Sequence, residues 1–65
     1  MKLSTLIKAR LKEGYKATHS DWMPHEYICL DEDGNVIDDR GKRFSDAKFR
    51  WIDRDDNEID WIFFN

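Results

Sequence analysis

The apolar positions nearest the start of the chain recur at helical spacing. Leu3, Leu6, Ile7 and Leu11 make one stripe, while Lys8, Arg10 and Lys12 point elsewhere. Ser4 is a good N-cap ahead of Thr5–Glu13, and Gly14 supplies the positive φ wanted just past a helix end. Beyond Gly14 the period shortens to two. Tyr15, Ala17 and His19 alternate with Lys16 and Thr18, as in a strand. Ser20–Pro24 breaks the pattern, because Pro24 restricts Met23 to extended conformations. Glu26–Leu30 has strand composition, Asp31–Gly34 turns, and Asn35–Asp38 returns as the next strand. Asp39–Lys42 turns again. Asp31-x-x-Gly34-x-x-Ile37 is echoed seven residues later by Asp38-x-x-Gly41-x-x-Phe44. The echo predicts tight turns that recur, as in a meander.

Phe44 closes that hairpin region and Ser45-Asp46 interrupts it. Ala47, Phe49 and Trp51 alternate with Lys48 and Arg50, which predicts a half-buried strand; a helical turn starting at Ser45 is the competing reading. Asp53–Asn57 is a polar turn. Glu58–Phe64 reads as the last strand, with Ile59, Trp61 and Phe63 on one face and Ile62 and Phe64 on the other. Apolar residues on both faces predict a strand that is central or packs against a second subunit. The expected architecture is α+β: one N-terminal helix packed on a four- to five-stranded antiparallel sheet, with residues 1–65 forming a single domain.

Length limits what such a domain can be. The chain has 65 residues, and below about 70–80 residues one core rarely supplies more than about 3–5 kcal/mol. Its only cysteine, Cys29, excludes an intrachain disulfide and favours a reducing, cytoplasmic setting. No apolar run has the length of a signal peptide core or of a membrane span. Three tryptophans, two tyrosines and four phenylalanines exceed what a tiny core needs. Aromatic surface shared between copies, in a homo-oligomer, is therefore expected.

Charge divides the chain unevenly. Residues 1–25 hold five basic and two acidic side chains, and residues 26–65 hold six and twelve. This polarity suits head-to-tail contacts, or a small basic pocket for an anion. Duplex nucleic acid is excluded, because an acidic chain lacks the extended positive footprint that phosphate contacts need. The acids of residues 26–65 instead motivate one functional reading, a DNA-mimic-like inhibitor that binds a host nucleic-acid enzyme.

Metal and catalytic motifs do not complete. Asp31, Asp33 and Asn35 match the first calcium-loop positions, but Val36 stands where Gly is needed and Lys42 where a bidentate Glu is needed. Asp53, Asp55 and Asn57 fail likewise at Glu58 and Phe64. His19, His25 and Cys29 lack the paired spacing of a zinc site. His19-Ser20-Asp21 has triad residue types without triad geometry, and the glycines at 14, 34 and 41 form no phosphate loop. No cofactor, metal or catalytic residue is assigned. The aromatics carry more information: Asp-Trp occurs twice, at Asp21-Trp22 and Asp60-Trp61. Indole faces stack on bases at about 1–3 kcal/mol each. An adjacent carboxylate accepts hydrogen bonds from ribose hydroxyls or base amino groups.

The order of these motifs resembles a family. Leu6-x4-Leu11-Lys12-Glu13-Gly14-x-Lys16-Ala17-x-His19-x-x-Trp22 resembles the opening of the phage anti-Thoeris sponge family, type two. Tyr27-Ile28-x-Leu30 fits the following strand, and Asp60-Trp61 resembles the terminal Asp-Trp that precedes a short apolar strand. The resemblance implies a small α+β phage protein, acting in the cytoplasm of an infected bacterium. Such proteins sequester a cyclic nucleotide or cyclic ADP-ribose-type signal between subunits without cleaving it. It implies Trp22 and Tyr27 as ligand-binding, with Asp60 and Trp61 as a second group. His19 and Arg43 complete the expected ligand-binding set; His19 stands where the family has Arg, so the cation for phosphate is expected from Arg40, Lys42 or Arg43.

Overall fold

Two helices cover one face of a four-stranded antiparallel sheet in the computed structural model, which describes residues 1–65. Helix α1 spans Leu3–Lys12 and helix α2 spans Asp46–Asp55. Strands β1 (Lys16–His19), β2 (Ile28–Leu30), β3 (Val36–Asp38) and β4 (Trp61–Phe64) lie in the order β3-β2-β1-β4. A short 3₁₀ turn, Glu58–Asp60, leads into β4. The expected α+β class, N-terminal helix and antiparallel sheet are all present.

The register decides which side chains reach the helices. Ala17 lies opposite both Phe63 and Ile28, and His19 lies opposite Trp61. These face inward. Lys16 opposite Phe64 and Thr18 opposite Ile62 fall on the other face. The core is seven residues: Ile7, Leu11, Ala17, Ile28, Phe49, Ile52 and Trp61. Leu3, Trp22, Leu30, Val36, Phe44 and Phe63 pack around it, half-buried.

Four expectations are corrected. Ala47–Trp51 is helical rather than a strand. Ser45 caps α2, its Oγ accepting from the Lys48 N–H at 3.4 Å, and Asp46 in the first turn suits the helix N-terminus. The inward residues of α2 are Phe49 and Ile52, three apart, while Ala47 and Trp51 are exposed. Ser4 does not cap α1. Lys2 occupies that position with no side-chain cap, and Ser4 lies inside the first turn. The final strand begins at Trp61, so Ile59 precedes it and is 90% exposed. Finally, β4 is an edge strand, which removes the central placement and leaves the other expected one, packing against a second subunit.

The α1 N-terminus is capped from a distance. Asp53 on α2 accepts from the Ser4 backbone N–H at 2.7 Å through one oxygen and from the Ser4 hydroxyl at 2.7 Å through the other. One carboxylate thereby satisfies a donor that the first helical turn leaves open and ties the two helices together.

The sequence echo is a structural one. Asp31 Oδ1 accepts from the N–H groups of Asp33 and Asn35, and Asp38 Oδ1 accepts from those of Arg40 and Lys42. Gly34 and Gly41 both take φ +82°. In each loop the glycine N–H also bonds the aspartate's carbonyl. The first loop joins β2 to β3. The second folds the chain back so that Ile37 bridges Arg43.

Two tests follow. Ile28→Ala empties a fully buried site and is expected to cost about 2–5 kcal/mol. That approaches the whole stability expected of this size, so urea melts should show a largely unfolded variant, whereas Ile62→Ala should melt like wild type. The second test concerns acid. Backbone N–H groups hold three carboxyls below their ordinary range: Ser4 at Asp53, Asn35 at Asp31 and Lys42 at Asp38. Lowered folded-state values stabilise the fold fully above the unfolded value of about 3.9, and that stability is lost as pH falls through the folded values. Asp53→Asn should therefore melt below wild type at pH 7. The gap should narrow steadily below pH ~4.

Candidate functional site

An open cleft of about 820 Å³ lies beside the core, between the β1–β2 connection, the Asp38–Lys42 loop and α2. Its formation starts with Pro24. The β1–β2 connection cannot close as a tight hairpin, and its backbone is pinned instead by side chains and turns. Thr18 Oγ1 donates to the Glu26 carbonyl at 2.7 Å, and Glu26 Oε1 accepts from the Met23 N–H at 3.1 Å. The Trp22 N–H bonds the His19 carbonyl at 3.0 Å. These contacts present Trp22 and Met23 along one wall.

Trp61 joins this wall to the core. It is 6% exposed, and its ring meets Trp22 edge-on at 5.2 Å and His19 edge-on at 5.3 Å. Trp22 continues to Phe44 at 6.2 Å, and Phe44 meets Phe49 edge-on at 4.9 Å. Edge-to-face pairs of this kind add to area burial. One aromatic chain thus runs from the cleft into the core between the helices.

Tyr27 and Trp51 complete the aromatic lining, and Trp51 is 52% exposed. Tyr27 is held by Phe64, edge-on at 6.0 Å, with Lys16 Nζ at 5.0 Å from its ring centre. The cations of the cleft are Arg40, Lys42 and Lys48. Lys48 Nζ also lies 5.2 Å from the Phe44 ring centre. Arg40 and Lys42 are fixed at backbone level by the Asp38 loop.

The six expected site residues are thus only partly assembled. Trp22, Tyr27 and Trp61 all line the cleft. His19 does not; it sits behind Trp61, 9% exposed, with Nδ1 accepting from the Asp21 N–H at 3.0 Å. Asp60 contributes its carbonyl to the Ser20 N–H at 2.9 Å, and its side chain is outside the lining. Arg43 bonds Asn35 Oδ1 at 3.0 Å and borders a separate hollow of about 210 Å³ with Lys8 and Lys12. The cations of the main cleft are therefore Arg40 and Lys42, joined by Lys48.

Sequence reasoning missed Trp51, Lys48 and Asp56, all cleft residues. The first two were hidden by reading α2 as a strand. Asp56 ends α2 and accepts from Trp61 Nε1 at 3.3 Å, with His19 Nε2 3.7 Å from the same oxygen. No cluster of three or more His, Cys, Asp or Glu side chains is placed to hold a metal ion. No helix is long and apolar enough to cross a membrane.

Trp51 and Trp61 should respond oppositely to truncation. Trp61→Ala is expected to cost about 3–5 kcal/mol, and Trp51→Ala less than about 0.5 kcal/mol. Chemical denaturation followed by circular dichroism separates the two. Comparison with protein-family models, with curated proteins and with solved structures finds no match for this chain.

Proposed function

We propose that the protein binds a cyclic nucleotide signal stoichiometrically and holds it without cleaving it, as a phage-encoded counter-defence sponge of the kind its two ends resemble. One observation supports this most: a single cleft combines the indole side chains of Trp22 and Trp51, with Tyr27 at its border, and the cations Arg40, Lys42 and Lys48. Bases stack on indole and phenol faces, and phosphate oxygens accept from guanidinium and ammonium groups. The same lining holds Glu26, Asp38, Asp39 and Asp56, so the three cations would act as individual phosphate contacts within a mixed-charge cleft.

The reading as an acidic inhibitor draws less support. Asp31 and Asp38 organise loops, Asp53 caps α1, and Asp56 faces Trp61. Asp31, Asp38 and Asp53 are committed to the fold, which leaves fewer of the acids free for an outward row. Self-association belongs to the same proposal. The helix-free side of the sheet leaves Ile62 at 52% and Phe64 at 36% exposed, and a second copy on that edge would cover them.

Isothermal titration of the folded protein against cyclic dinucleotides, cyclic trinucleotides and cyclic ADP-ribose isomers tests the reading. One class should bind with a stoichiometry near one per site, and be recovered intact after heating. Trp22→Ala should weaken it at least ~10-fold, as expected for loss of a stacking partner. Lys42→Ala with Lys48→Ala should flatten its salt dependence. Silence across the whole panel would sink the proposal.

A further inference from the structure

Asp56 occupies a costly place. It is the C-cap of α2, where the open carbonyl groups give the helix end partial negative charge and disfavour a carboxylate. Its side chain is only 11% exposed, and no Lys or Arg lies within 4.0 Å. The groups that face it are neutral donors. Trp61 Nε1 lies 3.3 Å from Oδ2, and His19 Nε2 lies 3.7 Å from the same oxygen. The His19 tautomer is fixed by its other nitrogen: Nδ1 accepts from the Asp21 N–H, so the neutral ring carries its proton on Nε2. That Nε2 is buried without a hydrogen-bond partner, aimed at the carboxylate but beyond bonding distance. Both donors thus approach Oδ2. Oδ1 receives no hydrogen bond from the protein, and Asp56 lines the cleft.

Oδ1 is open to solvent, since His19 Nε2 is the one buried side-chain polar atom without a partner. A largely buried carboxylate at a helix C-terminus with no cation beside it is nevertheless costly to keep for stability alone. We propose that Asp56 is the residue by which the cleft selects its ligand, accepting a hydrogen bond through Oδ1 from a ribose hydroxyl or an exocyclic amine. His19 is a positioning residue. Its Nε2–H lies behind Oδ2 and orients the carboxylate toward the cleft. A ligand donor would bring Asp56 the partner the fold withholds, and a ligand without that donor would leave the oxygen desolvated and unpaired. Such sites reject the donorless analogue strongly. The inference rests on the nucleotide reading and adds to it a specific group that discriminates among nucleotides.

The test titrates the folded protein with cyclic di-AMP, cyclic di-GMP and cyclic ADP-ribose, each beside its 2′-deoxy form and its form lacking the exocyclic amine. For the member that binds, one deletion should weaken wild type at least ~10-fold, the scale of a hydrogen bond to a charged group. Asp56→Asn should weaken the parent by a similar factor and no longer distinguish parent from analogue. His19→Gln should lower the parent-to-analogue ratio; a merely structural His19 would shift both affinities together and leave the ratio intact. Equal binding of parent and both analogues by wild type overturns the assignment while the nucleotide reading survives. So does an Asp56→Asn variant that keeps the wild-type ratio. If neither these parents nor the cyclic trinucleotides and other cyclic ADP-ribose isomers bind, the nucleotide reading and this inference fall together. The wild-type analogue comparison needs no variant, so misfolding of Asp56→Asn leaves it decisive.

Discussion

The edge-on packing of Trp61 against Trp22 and His19 is the contact through which the core and the cleft share one wall. Trp61 begins the edge strand β4, lies opposite His19 in the register, and is buried among residues from both helices and the sheet. Its indole nitrogen reaches Asp56 at the end of α2. Three separate stretches of chain therefore converge on one side chain: the β1 end, the α2 end and the start of β4. A fold with seven core residues has little room for a site independent of its stability. Here the cleft wall is the outer layer of the core, and side chains that would bind a ligand also keep the chain folded.

Small size also explains why the carboxylates are used as structural groups. With no disulfide and a short hydrophobic stripe on α1, the helices gain alignment from Asp53, which holds the first turn of α1 by two hydrogen bonds. The paired loops apply the same device at closer range: one carboxylate oxygen collects two backbone N–H groups in each. Such bonds satisfy donors that a short loop would otherwise leave to water. The second loop has a consequence for the cleft, because the residues that Asp38 gathers are Arg40 and Lys42, which line it.

How much of this was legible in the sequence follows from where polar residues stand. Helix α1 was readable because Leu3, Leu6, Ile7 and Leu11 keep an uninterrupted stripe, and the loops were readable because Asp and Gly repeat at fixed spacing. Helix α2 was not. Its inward stripe is Phe49, Ile52, Asp53 and Asp56, and half of it is acidic. Meanwhile Ala47, Phe49 and Trp51 supplied a false alternation, since Ala47 and Trp51 are exposed and border the cleft while Phe49 is buried in the core. Ser4 misled in the same way: it has the chemistry of a cap, and the structure uses that chemistry to bond a residue 49 positions away. Trp22, Tyr27 and Trp61 were legible as cleft residues because aromatics in a short chain have few other places to go. Asp56 was illegible, because nothing local distinguishes it from the acidic turn around it.

The false period in α2 carries its own physical meaning. A helix that served packing alone would place apolar residues at 53 and 56, where they would extend the stripe of Phe49 and Ile52. Each departure from that pattern has a partner elsewhere in the chain. Asp53 is repaid by the open end of α1 through Ser4. Asp56 has only a long bond from Trp61 and an unpaired His19 behind it. Sequences depart from local preference where some other requirement offsets the loss, commonly at functional sites. The first departure is accounted for within the fold, and the second is not. Asp56 lines the same cleft as the exposed indole of Trp51 and the cations of the neighbouring loop, so the requirement that offsets its cost is to be sought there.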